Sequence, residues 1–123
     1  MTTTSKLPSI SLKVLALYVD WQLKTKHIPK SLRYSMGIRI ETILATMIES
    51  IASAYYSEPH LRTELIMSAI TKNDTLKFMF YALFELKGLD QNTFLSLSQK
   101  VEEVGKMLYG WKNQIKKQNH QFK

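Results

Sequence analysis

Apolar residues recur along this chain at helical spacing in four stretches. In the first, Ile10, Val14, Leu17 and Trp21 advance by 4, 3 and 4 residues, the steps of one helix face. The pattern predicts a helix from Ser9 to Lys26, with Ser9 or Ser11 capping its start. Thr25-Lys26-His27-Ile28-Pro29 ends it, because the residue before a proline avoids the α conformation. The same proline suits the first turn of a second helix, from about Pro29 to Tyr56. Its stripe is Leu32, Met36, Ile40, Ile43, Met47, Ile51 and Tyr55, widened by Leu44 and Ile48.

Ser57-Glu58-Pro59 predicts the next turn, with Ser57 as N-cap. A third helix follows from about Glu58 to Lys87, on Leu61, Leu65, Ile66, Ala69 and Ile70 and then on Leu76, Met79, Phe80, Leu83 and Phe84. The polar Thr71-Lys72-Asn73-Asp74 between them is poor in helix propensity. One phase nevertheless runs through Ile66, Ile70, Asn73, Lys77, Phe80 and Phe84, which favours a continuous helix. Gly88 is placed to end it in the left-handed conformation, and Asp90 to cap the next helix. That fourth helix, about Gln91 to Lys117, carries Phe94, Leu97, Val101, Val104, Leu108, Trp111 and Ile115 on one face. Four long helices with short links predict an all-α, antiparallel up-down four-helix bundle. The whole chain, 1–123, is then one domain, with 1–8 a flexible arm and 118–123 a flexible tail.

Composition agrees. A chain of 123 residues with 45% hydrophobic residues can build a core, and four glycines and three prolines leave few turns. No cysteine is present, so disulfides and thiolate metal sites are excluded. The N-terminal stretch lacks the apolar segment of a secretory signal, and no apolar run is long enough to span a bilayer. The expectation is a cytoplasmic protein with no membrane partner.

Catalytic chemistry finds no support in the pattern. His27, His60 and His120 are scattered, and no Glu-x-x-His pair occurs, so no metal and no cofactor is expected. Glu102 and Glu103 are adjacent and point in different directions on a helix. The nucleophile-elbow, P-loop and dinucleotide motifs are absent. A non-enzymatic protein is expected.

Charge adds the functional content. The net charge is +7, which favours polyanionic partners. Residues 1–40 hold seven basic residues against Asp20 alone, and residues 106–123 hold five with no acid. In an antiparallel bundle the first and third links share an end, so Lys24, Lys26, Lys30 and Arg33 should lie near Lys87. Arg33 could instead pair with Glu41 or an acid of another helix. Gly37, inside the second helix, costs about 1 kcal/mol against alanine and suggests a close approach by a neighbouring helix.

Two stretches go beyond composition. They are Ile28-Pro29-Lys30-Ser31-Leu32-Arg33-Tyr34-Ser35-Met36-Gly37-Ile38-Arg39-Ile40-Glu41 and Glu103-Val104-Gly105-Lys106-Met107-Leu108-Tyr109-Gly110-Trp111-Lys112. Together with their spacing they resemble the four-helix-bundle family of the Avd accessory proteins of diversity-generating retroelements. Its superfamily also includes proteins encoded by intervening sequences in bacterial ribosomal RNA genes. The resemblance covers about residues 10–115. It implies a homopentameric barrel that binds the element's reverse transcriptase and RNA or cDNA, supports mutagenic retrohoming and has no active site of its own. Five copies would carry about +35, which would give nucleic-acid binding a steep salt dependence. The candidate contacts are Lys24, Lys26, Lys30, Arg33, Arg39, Lys106 and Lys112, of which Lys30, Arg33 and Arg39 match basic positions of the family pattern. Gly37, Gly105 and Gly110 match its glycines, read as close helix packing, and Trp111 its tryptophan, read as a core or subunit-interface anchor. The alternatives are a ribosomal intervening-sequence protein and a basic structural or adaptor oligomer.

Overall fold

The computed structural model describes residues 8–121, with side chains described through Gln118. Four helices pack together, and no strand occurs among the described residues. α1 is Ser9–Thr25. A first turn Lys30–Leu32, a π turn Arg33–Gly37 and the α-helix Ile38–Tyr56 follow one another without a gap and together form α2, residues 30–56. α3 is Pro59–Glu85 and α4 is Gln91–Gln121. The expected tail is helical through Gln121; residues 1–7 of the expected arm, and 122–123, lie outside the described residues.

The stripes read from the sequence form the core. Ile10, Val14, Leu17 and Trp21 of α1 are buried, as are Ile40, Leu44, Met47 and Ile51 of α2. Ile66, Ile70, Leu76, Phe80 and Leu83 of α3 meet Leu97, Val101, Val104 and Leu108 of α4. The Trp21 and Phe80 rings tilt against each other at 5.7 Å between centroids. α3 packs broadly against α2 and α4, whereas α1 rests on α4 and touches α2 more lightly. α1 and α3 are therefore the diagonal pair of the bundle.

α3 is continuous through Thr71–Asp74, and the residue that its phase turns inward there reaches the neighbouring helix. The Asn73 side chain is 1% exposed and donates from Nδ2 to the Val101 carbonyl of α4 at 3.1 Å. Its Oδ1 is buried without a hydrogen-bond partner. Gly105, one turn past Val101, makes room for this amide: a Cβ there would lie 2.9 Å from Asn73 Nδ2. The expected close approach at Gly105 is present and binds α3 to α4.

The other glycines behave differently. Gly37 is buried at the end of the π turn, but the nearest atoms to a Cβ on it belong to Leu32 and Arg33 of its own helix, at ordinary contact distances of 3.5–3.9 Å. No atom of a neighbouring helix would lie nearer to that Cβ than these. Gly110 is exposed, and a Cβ built on it would meet nothing of its own bundle within 4 Å. Trp111 is half-buried against the core.

Helix ends also depart from expectation in detail. The cap position of α1 is Pro8, whose carbonyl accepts from Ser11 N–H at 2.9 Å, and neither Ser9 nor Ser11 caps. α3 starts with Glu58 at its N-cap, while the Ser57 hydroxyl turns back to the Ala54 carbonyl at 3.2 Å. The left-handed residue after α3 is Lys87, with φ 67°, rather than Gly88. Gly88 N–H reaches the Leu83 carbonyl at 2.8 Å and Lys87 N–H the Phe84 carbonyl at 2.9 Å, the paired bonds of a Schellman ending. Gly88 is needed for space: a Cβ on it would lie 2.4 Å from Leu83 Cδ1 and 3.1 Å from Leu32 Cδ1. Asp90 caps α4 as expected, accepting from Thr93 N–H at 2.7 Å.

Candidate nucleic-acid interface

The two links at one end of the bundle bring basic residues together. After α1 the chain turns through His27 N–H to the Lys24 carbonyl and Ile28 N–H to the Thr25 carbonyl. Ile28 and, from the other link, Leu89 are buried and anchor this end. Between the links lies a cavity of about 410 Å³ whose lining includes Lys24, His27, Lys87, Asp90 and Thr93. Lys24 and Lys87 thus share an end, as the antiparallel reading expects.

The candidate residues divide by what already occupies them. Lys26 and Lys30 are exposed, as is Lys87, and none of the three forms an ion pair among the described residues. Lys24 is committed to Asp20 at 2.7 Å, and Lys100 binds the other oxygen of the same carboxylate at 3.2 Å. Ser96 Oγ adds a third donor to Asp20 at 3.0 Å. Partial burial pushes the Asp20 carboxyl up, but the bonds from Lys24, Ser96 and Lys100 outweigh it and hold the group below its ordinary range.

Arg33 does not project toward a ligand. Its Nη2 donates to the Lys26 carbonyl at 3.0 Å and to the Ile28 carbonyl at 2.9 Å, and its Nε is buried without a hydrogen-bond partner. It clamps the first link, an internal use that its charge in the sequence does not reveal. Glu41 is not its partner. That carboxylate accepts from Tyr18 Oη at 2.7 Å, Trp21 Nε1 at 3.0 Å and Gln22 Nε2 at 2.7 Å, fastening α1 to α2. The bond to Glu41, burial and the carboxylate charge together hold the Tyr18 hydroxyl above its usual range.

No protein-family profile, curated protein or solved structure matches the chain.

The remaining candidates lie apart from the link cluster. Arg39 is exposed on α2 and forms no ion pair among the described residues. Lys106 and Lys112 sit on α4, about 22 and 32 Å along the helix from Gln91 at 1.5 Å per residue. Lys106 edges a shallow pocket with Lys77, Glu102, Tyr109 and Asn113, and the Lys112 ammonium sits 5.3 Å from the centroid of the Tyr109 ring. Lys77 spans to Glu102 at 2.8 Å; that bond raises the lysine and lowers the acid. Among the described residues, no group of three or more His, Cys, Asp or Glu could hold a metal ion, and no helix is long and apolar enough to cross a membrane.

Proposed function

We propose that this protein is a non-enzymatic accessory protein of a diversity-generating retroelement, acting as a basic homopentamer. It binds the element's reverse transcriptase and RNA or cDNA, and the polymerase supplies the chemistry. The observation that carries the reading is the cluster of cations left unpaired at one bundle end, Lys26, Lys30 and Lys87, beside the motif in which Lys30 lies. Phosphate binding needs such uncommitted charges, because each lysine or arginine that neutralises a phosphate releases counterions. Arg39, Lys106 and Lys112 extend the basic surface away from that end. Arg33 belongs to the architecture of the link and Lys24 to the Asp20 network.

Fluorescence anisotropy with labelled RNA and single-stranded DNA, titrated over salt, tests this reading. A triple charge reversal of Lys26, Lys30 and Lys87 should weaken binding. It should also reduce the salt slope by about 0.7 for each single-strand phosphate that is no longer neutralised. Absence of binding by the unaltered protein at low salt would overturn the reading. Co-purification with a reverse transcriptase encoded beside the gene tests the partner.

A further inference from the structure

Tyr34 is an exposed ring beside the unpaired cations of the first link. It is 62% exposed and makes no hydrogen bond or ring contact among the described residues. It lies in the π turn Arg33–Gly37, and Ile38, 54% exposed, follows directly after that turn. Single π turns inside α-helices recur at functional sites. Here the turn edges a groove of about 230 Å³, which Thr25, Arg33, Gly37 and Glu41 line together with Tyr34 and Ile38. Gly37 adds no side chain to that lining, so the groove stays open beside the tyrosine.

The polar groups of the groove are already engaged within the chain. Thr25 Oγ1 donates to the Gln22 carbonyl at 3.0 Å, Arg33 Nη2 to the Lys26 and Ile28 carbonyls, and the Glu41 carboxylate accepts from Tyr18, Trp21 and Gln22. What remains for a ligand is the ring of Tyr34 and the side chain of Ile38, a surface that takes the face of a flat group without reading its edge. Cations stand at its border. Lys26 follows Thr25 in the chain and Lys30 precedes Tyr34 by four residues; both are exposed and form no ion pair among the described residues. The Glu41 charge disfavours a phosphate inside the groove, whereas the two lysines favour one outside it. Proteins hold single strands with this arrangement, phosphates on cations and bases on aromatic faces. Two other exposed rings lack it: Phe78 stands one turn beyond Asp74, and Tyr109 already faces the Lys112 ammonium at 5.3 Å.

We propose that this groove seats an unpaired nucleobase of single-stranded RNA or DNA, stacked on Tyr34 beside Ile38, with the flanking phosphates on Lys26 and Lys30. The inference rests on the proposed nucleic-acid binding and adds a preference to it. Strands whose bases are free bind in this groove, and duplexes, whose bases are already stacked on one another, do not. Sequence preference is weak, because every base has a π-face and the polar groups of the groove are committed elsewhere.

The test compares the full chain with Tyr34→Ala, Tyr34→Phe and Phe78→Ala by anisotropy, on a labelled single strand and on the duplex of the same sequence. Circular dichroism checks that the variants keep their helices. Tyr34→Ala should weaken single-strand binding by about 5- to 150-fold, the loss of one stacked base. Its salt slope should not change, since no charge is removed, in contrast to the lysine reversals. Tyr34→Phe keeps the ring and should bind as the unaltered protein does, as should Phe78→Ala. Duplex binding should be weaker and indifferent to either substitution of Tyr34. Unchanged single-strand affinity in Tyr34→Ala would overturn the proposal and leave the lysine-dependent binding standing. So would an equal loss on strand and duplex, which no stacked base explains. Loss of reverse-transcriptase co-purification at unchanged strand affinity would assign the groove to a protein partner and overturn it too. An unaltered protein that binds neither strand nor duplex at low salt would sink the proposed function, and this inference with it.

Discussion

Replacing Gly105 with alanine gives opposite results in two backgrounds. A β-carbon at this position would lie 2.9 Å from Nδ2 of Asn73, closer than real contacts allow. Asn73 is almost wholly buried and tied to the Val101 carbonyl at 3.1 Å, so its amide has to leave that bond to make room. Losing a buried hydrogen bond and stranding its donor costs about 1–3 kcal/mol. Alanine returns about 0.8–1 kcal/mol of helix propensity over glycine. The net expectation is destabilisation by about 0–2 kcal/mol. In an Asn73→Ala background the amide is gone, the obstacle with it, and only the propensity gain remains. Gly105→Ala should then stabilise by about 1 kcal/mol, giving a coupling of about 1–3 kcal/mol across the double-mutant cycle. Urea unfolding of the four proteins at one concentration measures it, with equal slopes required for comparison. The reasoning is refuted if Gly105→Ala stabilises the original protein, or if its effect is the same in both backgrounds.

Three further outcomes follow from other bonds and backbone positions. Arg33→Ala removes two charge-assisted bonds to link carbonyls and should cost about 2–3 kcal/mol, with Arg33→Lys a poor replacement and the salt slope of RNA binding unchanged. Lys87→Gly relieves a left-handed lysine and should raise stability by about 0.5–1 kcal/mol, net of the added freedom of the unfolded chain, while weakening RNA binding; thermal melts and anisotropy read the two effects. Asp20 is held below its ordinary range when folded, so its contribution is present above the unfolded carboxylate pKa and disappears as pH falls through the lower folded value. Asp20→Asn should therefore be less stable at neutral pH and lose less on acidification; a steeper acid loss than in the original chain would count against the Lys24–Asp20–Lys100 network.

The pattern of apolar residues made the four helices and most of the core legible, because period 3.6 is set locally by the chain. Asn73 illustrates how far that reaches: its phase within the α3 stripe turns it inward, but nothing in the stripe points to its partner, Val101 of α4. Charge was legible as a sum but not as an arrangement. Arg33 and Lys30 look alike in sequence, and only the fold of the link separates the arginine that grips two carbonyls from the lysine left exposed. Glycine carried an ambiguous signal for the same reason. At Gly105 its missing side chain answers an amide on another helix, whereas at Gly110 nothing stands within 4 Å. At Gly88 the conformational expectation fell on the wrong residue, since the left-handed turn is taken by Lys87 and the glycine supplies room beside Leu83. Glu41 was invisible because its three donors come from α1, a separate helix earlier in the chain.

The Glu41 carboxylate has a consequence for how the molecule opens. α1 touches α2 lightly, with three polar bonds converging on this one group, and its outer Leu12, Val19 and Leu23 are more than half exposed. Regions with few apolar neighbours open locally at a fraction of the global unfolding free energy. In an isolated copy, α1 is the segment whose amides should exchange earliest with solvent deuterium, ahead of α3 and α4. Covering the exposed Leu12, Val19 and Leu23 would slow that exchange without altering a single bond inside the bundle. The protection of α1 amides thus serves as a gauge of association, readable at concentrations where mass alone averages over species.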